Sequence, residues 1–301
     1  MTDIKLHETA SEILLKQLIN KKYPNYLSTI ITSDTEKSSV KNVLKELTEV
    51  LKWEKNCKEI LIDQDIFYEG LVNEIYAYYH KAFLQKKNID FMIQNIDYEF
   101  TWMYVTQYYY LFFIACTLGR MNNYFVIYLD QHIAEQISEV VTIHKGQLSQ
   151  INGSATYFLK IEKYNEQDAK LKIIITSTRD QHKSTWQSVK KFIGDYKPLC
   201  SNQDIGLEKQ IIENINQLFK RNNFIFSESR NYYNYRFEPA YDNSNYKLIP
   251  NEYYNNKEKM WKYLIDLDVQ SIDIKNSSEI LVCISEYLFS LIDKLMNRIT
   301  D

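Results

Sequence analysis

The sequence predicts a mainly α protein, a bundle of antiparallel helices with one inserted β-hairpin and additional helices at both ends. Apolar residues recur at helical spacing over most of the chain, and only one pair of segments alternates as strands do. The 301 residues include just 6 Gly and 4 Pro, too few turn-forming residues for an all-β sandwich or barrel. Helices joined by short connections therefore account best for the composition.

Seven segments carry apolar residues three and four positions apart, and each predicts a helix. They are Glu8–Asn20, Ser38–Trp53, Asp65–Lys86, Tyr98–Met121, Gln181–Asp195, Leu207–Asn222 and Ser277–Arg298. The fourth is apolar nearly all round, so we expect it to be the central helix.

The predicted hairpin joins two alternating segments, Thr156–Tyr164 and Lys170–Thr176, through the loop Asn165–Ala169. Two strands alone are only marginally stable, so we expect this hairpin to pack on the helical body or on a partner. Residues Lys197–Gly206 contain Pro198 and Gly206 and predict a connector. The segment Ser227–Asn256 begins as a helix and is otherwise predicted to be irregular.

These elements predict three regions along the chain. Residues 1–60 form a helical extension, and residues 61–240 form the helical core with the hairpin inserted at about 150–178. Residues 241–301 form an irregular tract and a final helix that packs on the core.

Charge and cysteine spacing indicate which ligands to expect among nucleic acids, metals and cofactors. The net charge of −3 gives no overall basic footprint for nucleic acid, although a local basic cluster is compatible with it. The four cysteines are widely separated and have no metal-ligand spacing. We therefore expect a reduced, cytoplasmic protein with no metal and no cofactor.

Targeting and nucleotide motifs are missing from the sequence. The first residues have neither the basic nor the apolar region of a signal peptide. The most apolar window, residues 100–118, includes Thr101, Thr106 and Gln107, and it predicts a buried helix rather than a membrane span. The sequence also contains no phosphate-binding loop, dinucleotide fingerprint, hydrolase elbow or kinase signature.

One polar segment, Ser227–Phe237, combines the side chains that grip a phosphodiester. Arg230 supplies a fixed charge, Asn231 an adjustable donor and acceptor, and Tyr235 a phenol, all within two turns of the start of a predicted helix. Arginine forms two parallel hydrogen bonds to a phosphate, so this segment is the leading candidate site.

Three segments in order resemble the HEPN superfamily. They are the aromatic helix Trp102–Ala115, the helix start Asp180–Phe192 with its His-Lys pair, and the Arg-Asn…Tyr segment Arg230–Tyr235. The resemblance covers about residues 65–240. It implies an up-and-down bundle of four or five helices, usually dimeric.

Many HEPN proteins are metal-independent ribonucleases of toxin–antitoxin, CRISPR-associated and antiviral systems, whereas others only bind nucleotides or partners. The resemblance places Arg230 at the invariant arginine and Asn231 at the polar position after it. Tyr235 stands where active members have a histidine. A phenol with a pKa of about 10 is a poor general base near neutral pH, but it remains an adequate donor to phosphate.

The resemblance also assigns supporting residues. His182 lies at a predicted helix start near the same end of the bundle, where it substitutes for the missing base in our interpretation. Independently of the resemblance, the charges of Lys183 and Arg236 and the aromatic ring of Tyr232 make these three residues candidate RNA contacts. The implied function is RNA or nucleotide binding by a homodimer or by a subunit of a defence system, with metal-independent RNA cleavage as the activity if the protein is an enzyme.

Other interpretations of these residues stay open. Arg230 and Asn231 also fit a helix cap with an ion pair to Glu228 or Glu238, and the neighbouring tyrosines fit a core or an interface. The carboxylate pairs Asp63/Asp65 and Asp266/Asp268 predict solvated turns rather than metal sites.

An alternative function is that of a non-enzymatic interaction subunit. It would use the hairpin and the Tyr- and Asn-rich tract 232–256 as its partner surface.

Overall fold

A computed structural model describes residues 39–94, 100–165, 169–202, 206–235, 251–254, 256–275 and 277–300. The predicted helix Glu8–Asn20 lies outside the described residues. So do Arg236, Glu238 and most of the Tyr- and Asn-rich tract.

The described residues are mainly helical, with one small antiparallel sheet, which confirms the predicted class. The helices are α1 (Val40–Val43), α2 (Gln64–Gln94), α3 (Phe100–Met121), α4 (Gln131–Lys145), α5 (Gln181–Asn202), α6 (Gly206–Arg221), α7 (Ile225–Tyr235), α8 (Asn251–Tyr254), α9 (Lys257–Ile265) and α10 (Ser278–Thr300). The strands are β1 (Leu47–Trp53), β2 (Cys57–Asp63), β3 (Tyr124–Leu129), β4 (Ala155–Lys163) and β5 (Lys170–Thr178). A short 3-10 turn, Leu44–Glu46, joins α1 to β1.

The chain divides into two compact units. Among the described residues, the sheet unit comprises 39–77 and Cys116–Ser188, and the helical unit comprises those within Tyr78–Ala115 and those after Ser188.

In the sheet unit, five antiparallel strands follow the order β1-β2-β5-β4-β3. The predicted hairpin is confirmed as β4 and β5, but both of its strands have a neighbour on each side. It is therefore the interior of a sheet rather than an insertion resting on helices. Two-stranded ribbons gain stability from added strands, and β2 and β3 supply them here.

One face of this sheet forms an apolar core. The register aligns Ile60 of β2 with Ile173 of β5, and Ile173 with Ile161 of β4, and all three side chains are buried. The opposite face carries charge: the Lys172 ammonium lies 3.1 Å from Glu162 and 3.9 Å from Glu59. Alternation of buried and charged residues thus fixes which face packs inward.

The prediction of a helix over Ser38–Trp53 is wrong beyond its first turns. Residues 40–46 are helical, and Leu47–Trp53 is an edge strand paired with β2. Leu47 and Leu51, four residues apart, fit both the helical and the extended spacing, so the pairing with β2 decides between helix and strand.

In the helical unit, side-chain hydrogen bonds join helices that are far apart in sequence. The Asn214 amide of α6 donates to the carbonyl oxygens of Leu264 and Ile265 at the end of α9, at 2.8 and 2.9 Å. Trp261 of α9 packs edge-on against Tyr287 of α10, with ring centroids 5.9 Å apart. These contacts hold α6, α9 and α10 together around a buried aromatic core.

The predicted connector Lys197–Gly206 is wrong in its first half, because α5 continues through Pro198 to Asn202. Proline removes one backbone donor from a helix interior. Fully buried Tyr196 and Cys200 flank Pro198, and their burial offsets that loss.

Candidate functional site

The helix that carries Arg230 starts earlier than the sequence predicts. Asn222 forms a turn just before it, since its side-chain oxygen accepts the backbone N–H of Phe224 at 2.9 Å. The same amide donates to the Glu228 carboxylate at 2.9 Å. Arg230 therefore lies in the middle of α7 rather than at a helix start, and Asn222 rather than Arg230 is the partner of Glu228.

A network of hydroxyl groups fixes the inner face of α7. Ser277, which precedes α10, has its hydroxyl 2.7 Å from the Tyr104 hydroxyl and donates to Ser229 at 2.8 Å. Tyr233 stacks obliquely on Tyr104 with ring centroids 4.3 Å apart, and its hydroxyl donates to the Lys275 carbonyl at 2.8 Å. Burial raises the pKa of Tyr104 well above its ordinary value, so this phenol stays a neutral partner.

Arg230 lies at the margin of this inner face and is half-buried. Its guanidinium carbon is 5.3 Å from the ring centroid of fully buried Tyr108, within the range of a cation–π contact. The Tyr108 hydroxyl is 3.3 Å from the hydroxyl of Ser227, one turn before Arg230. The ring thus forms a platform on one side of the guanidinium.

The charge of Arg230 has no carboxylate partner within the described part of the chain. Its Nε atom is buried and makes no hydrogen bond there. A partly buried charge with unused donors carries a desolvation cost that a bound anion relieves. Arg230 is therefore not part of a structural ion pair within the described residues.

The other predicted residues on α7 point to different sides of the helix. At about 100° per residue, Asn231 and Tyr235 lie on one face, four residues apart, and Tyr235 is turned about 140° from Arg230. The Tyr235 side chain is 70% exposed. One copy of α7 therefore does not direct Arg230 and Tyr235 at the same phosphate.

Tyr232 marks the opposite margin of the buried face. It is half-buried, packs edge-on against Tyr233 at 5.3 Å, and has the Lys275 ammonium 5.9 Å from its ring centroid. Lys275 adds a cation to this margin. Nothing in the sequence indicates Lys275, because its contact with Tyr232 comes from a distant loop.

His182 and Lys183 belong to the sheet unit, whereas the α7 residues belong to the helical unit. They lie in the first turn of α5, which Asp180 caps by accepting the Lys183 backbone N–H at 3.0 Å. His182 is half-buried and Lys183 is exposed. The cap places a carboxylate at this helix start, which lowers its attraction for a further anion.

Tyr108 is the residue of the site that sequence reasoning missed. It falls in the tyrosine triplet of α3, whose helical phase predicts burial. Nothing in that triplet indicates which tyrosine meets an arginine more than a hundred residues later.

The pair Asp266/Asp268 lies in a turn, as predicted, whereas Asp63 ends β2 and Asp65 lies in the first turn of α2. Asp63 accepts the backbone N–H of Asp65 at 2.9 Å, and Asp268 accepts that of Gln270 at 3.0 Å. Within the described ranges, no three His, Cys, Asp or Glu residues cluster as metal ligands. The helices described there include none with the length and apolar character to cross a membrane.

Comparison of the chain with protein-family models, curated proteins and solved structures gives no match. The resemblance to HEPN proteins therefore rests on the three sequence segments.

Proposed function

We propose that this chain is a HEPN-like protein that binds RNA or a nucleotide through Arg230. The observation that supports this most strongly is the state of that arginine, which is half-buried on Tyr108 and has no carboxylate partner among the described residues. An arginine buried for stability alone would be expected to have one.

Phosphate is the anion that fits the proposal best. The guanidinium presents its donors in a fixed plane that matches two phosphate oxygens, and the Tyr108 ring limits its rotation. Asn231, exposed on the adjacent face, supplies an adjustable donor and acceptor for a neighbouring ribose or base. Tyr232 and Tyr235 offer aromatic faces for stacking, which suits single-stranded RNA.

We propose binding as the primary activity and place cleavage second. Cleavage through the ribose 2′-hydroxyl needs a proton acceptor beside the scissile phosphate, and Tyr235 projects away from Arg230 on its own helix. A homodimer that brings two copies of α7 to one cleft would supply the missing group. In that case cleavage would need no metal.

The test measures, by fluorescence anisotropy, how tightly the protein binds a single-stranded RNA that carries a 5′ fluorescent label, in buffer with EDTA. Arg230→Gln should weaken binding about tenfold, the loss of roughly one charged phosphate contact. Lys220→Gln is the matched control, because Lys220 is an exposed cation of the same unit and its replacement removes the same charge. Equal affinities of the Arg230→Gln variant and the wild type would overturn the proposal.

A place in a bacterial defence or toxin–antitoxin system is the biological part of the proposal, and it follows from the same resemblance. Induced expression of the protein should slow bacterial growth, and Arg230→Gln should relieve the effect. A variant that is as toxic as the wild type would separate toxicity from the Arg230 site.

The second candidate is a non-enzymatic interaction subunit. Large aromatic side chains left at the surface of the helical unit favour it: Trp102 is 60% exposed and Tyr235 is 70% exposed. The hairpin contributes less than the sequence predicts, because neighbouring strands occupy both of its edges. If the protein binds RNA and Arg230→Gln weakens that binding, the result favours the first candidate function over the second.

A further inference from the structure

The sheet unit contains an open groove between α4 and the segment 146–154 that leads back from it to β4. The groove has a volume of about 1040 Å³. It belongs to neither the Arg230 site nor any motif of the sequence.

Local hydrogen bonds build the groove by holding the segment 146–154 parallel to the helix axis. The helix ends at Gly146, whose φ of 65° turns the chain back. Ser149 then donates its backbone N–H to Thr142 at 3.1 Å, and Ile151 donates its N–H to Ser138 at 3.0 Å. Both acceptors are side chains of α4, so the spacing between helix and segment is fixed.

Close packing anchors the other end of the segment. A Cβ atom at Gly153 would lie 2.6 Å from the Cα atom of Gln131, a distance that only glycine allows. The Tyr157 hydroxyl donates to the Asn152 carbonyl at 2.8 Å. The segment is thus anchored at both ends and is preformed for binding.

The segment presents one strand-like edge outward. Ser149 and Ile151 are buried against α4, whereas Gln150 between them is exposed. The backbone N–H and C=O of Gln150 make no hydrogen bond within the described residues. An extended peptide is the ligand that pairs with such an edge.

The lining of the groove is acidic. Glu135 and Glu139 lie one helical turn apart and are exposed, and the lining residues include no lysine, arginine or histidine. Side chains at this spacing lie about 6 Å apart, close enough for one cation to contact both carboxylates. The same charge repels a phosphate backbone, so RNA is not the expected occupant.

The mouth of the groove is apolar and unusually open to solvent. Ile143 is 80% exposed and Leu148 is 82% exposed, and both line the groove. Exposed apolar side chains beside a rim of polar residues are typical of a contact surface for protein.

We infer that this groove binds an extended segment of a partner protein that carries a lysine or arginine next to an apolar residue. The peptide backbone pairs with Gln150, the cationic side chain lies between Glu135 and Glu139, and the apolar side chain covers Ile143 and Leu148. Charge complementarity therefore selects basic over acidic segments.

The experiment is selection of a phage-displayed random heptapeptide library on the whole protein. Selected peptides should combine a lysine or arginine with a neighbouring apolar residue. A synthetic, fluorescein-labelled copy of the most enriched peptide should bind at least about tenfold more weakly to the double variant Glu135→Gln/Glu139→Gln, as loss of close charge contacts predicts.

Glu46→Gln/Glu49→Gln is the matched control, since it removes two exposed carboxylates of the same unit outside the groove and should leave binding unchanged. Leu148→Ser should weaken binding by about fivefold, a loss of roughly one exposed apolar contact. The inference is overturned if no peptide is enriched, if acidic peptides are, or if the Glu135→Gln/Glu139→Gln variant binds the selected peptide as well as the wild type.

Discussion

Arg120 in the sheet unit and Arg230 in the helical unit both lie against an aromatic ring, but they differ in burial and in hydrogen-bond partners. The Arg120 side chain is 3% exposed, and its Nε donates to the Glu74 carboxylate at 2.7 Å. Its guanidinium also donates to the Cys116 carbonyl at 3.2 Å and lies 4.8 Å from the ring centroid of Phe125. Arg230 has the ring contact alone among the described residues.

The difference separates a structural arginine from one that is available to a ligand. Glu74 accepts the Val40 backbone N–H with its other oxygen, at 3.0 Å, so the pair ties α1 and α2 to the end of α3 within the sheet unit. The charge of Arg120 is thereby neutralised inside the protein. The charge of Arg230 is held in place but not neutralised, as a phosphate contact requires.

Breaking the Arg120 pair should have the largest effect. Glu74→Gln leaves a buried arginine without its counter-charge, and we expect it to lower the free energy of unfolding by about 3 kcal/mol or more. Arg230→Met removes only a partly exposed cation–π contact and should cost about 1 kcal/mol or less. Urea unfolding curves of the two variants measure both values. Equal losses would contradict the distinction between the two arginines.

Removing the platform under Arg230 should have an intermediate effect on binding. Tyr108→Leu removes the aromatic face, and we expect RNA affinity to fall about fivefold, or about 1 kcal/mol. Tyr108→Phe keeps the ring and loses the hydroxyl group with its 3.3 Å contact to Ser227, so its affinity should stay near the wild type. Fluorescence anisotropy with the same labelled RNA compares them. If Tyr108→Phe binds as weakly as Tyr108→Leu, the hydroxyl and not the ring supports Arg230.

The smallest effect is expected at Tyr235. Its hydroxyl lies on a different side of α7 from Arg230, so Tyr235→Phe should change RNA affinity by less than about twofold. Tyr235→Ala serves as the second variant, because it also removes the ring and reports on stacking. A clear loss in Tyr235→Phe would show that the phenol meets the phosphate, through a second protomer or a rearranged helix.

The helical elements could be predicted where the apolar period is long and consistent. The predicted helix Asp65–Lys86 corresponds to α2, which continues to Gln94, and the predicted helix Tyr98–Met121 corresponds to α3, which the structure describes from Phe100 onward. The sheet was mostly missed, because β1 shares its spacing with a helix and β2 is a short apolar run. A short run of this kind does not distinguish strand from helix until its partners are known.

Two missed elements nevertheless left signals in the sequence. The segment Tyr124–Leu129 is β-branched and aromatic, as a buried strand should be. Helix α4 begins after Asp130, whose carboxylate accepts the Ile133 N–H at 2.9 Å, and it ends at Gly146 in the left-handed region. Both caps are recognisable from residue type alone.

The candidate site, too, could be predicted only in part from the sequence. The sequence identifies Arg230 as a residue suited to phosphate, because that depends on its chemistry and on its neighbours along the chain. Its surroundings depend on contacts that only the fold defines: the ring of Tyr108 lies beside its guanidinium, and Asn222 donates a hydrogen bond to Glu228, the nearby carboxylate.

The most direct test of the Arg230 phosphate contact is the salt dependence of RNA binding. For a single strand, each phosphate contact contributes about 0.7 to the slope of log K against log salt concentration. We expect Arg230→Gln to reduce that slope by about this amount and Lys220→Gln to leave it unchanged. An unaltered slope in Arg230→Gln, or an equal reduction in both variants, would contradict a specific phosphate contact at Arg230.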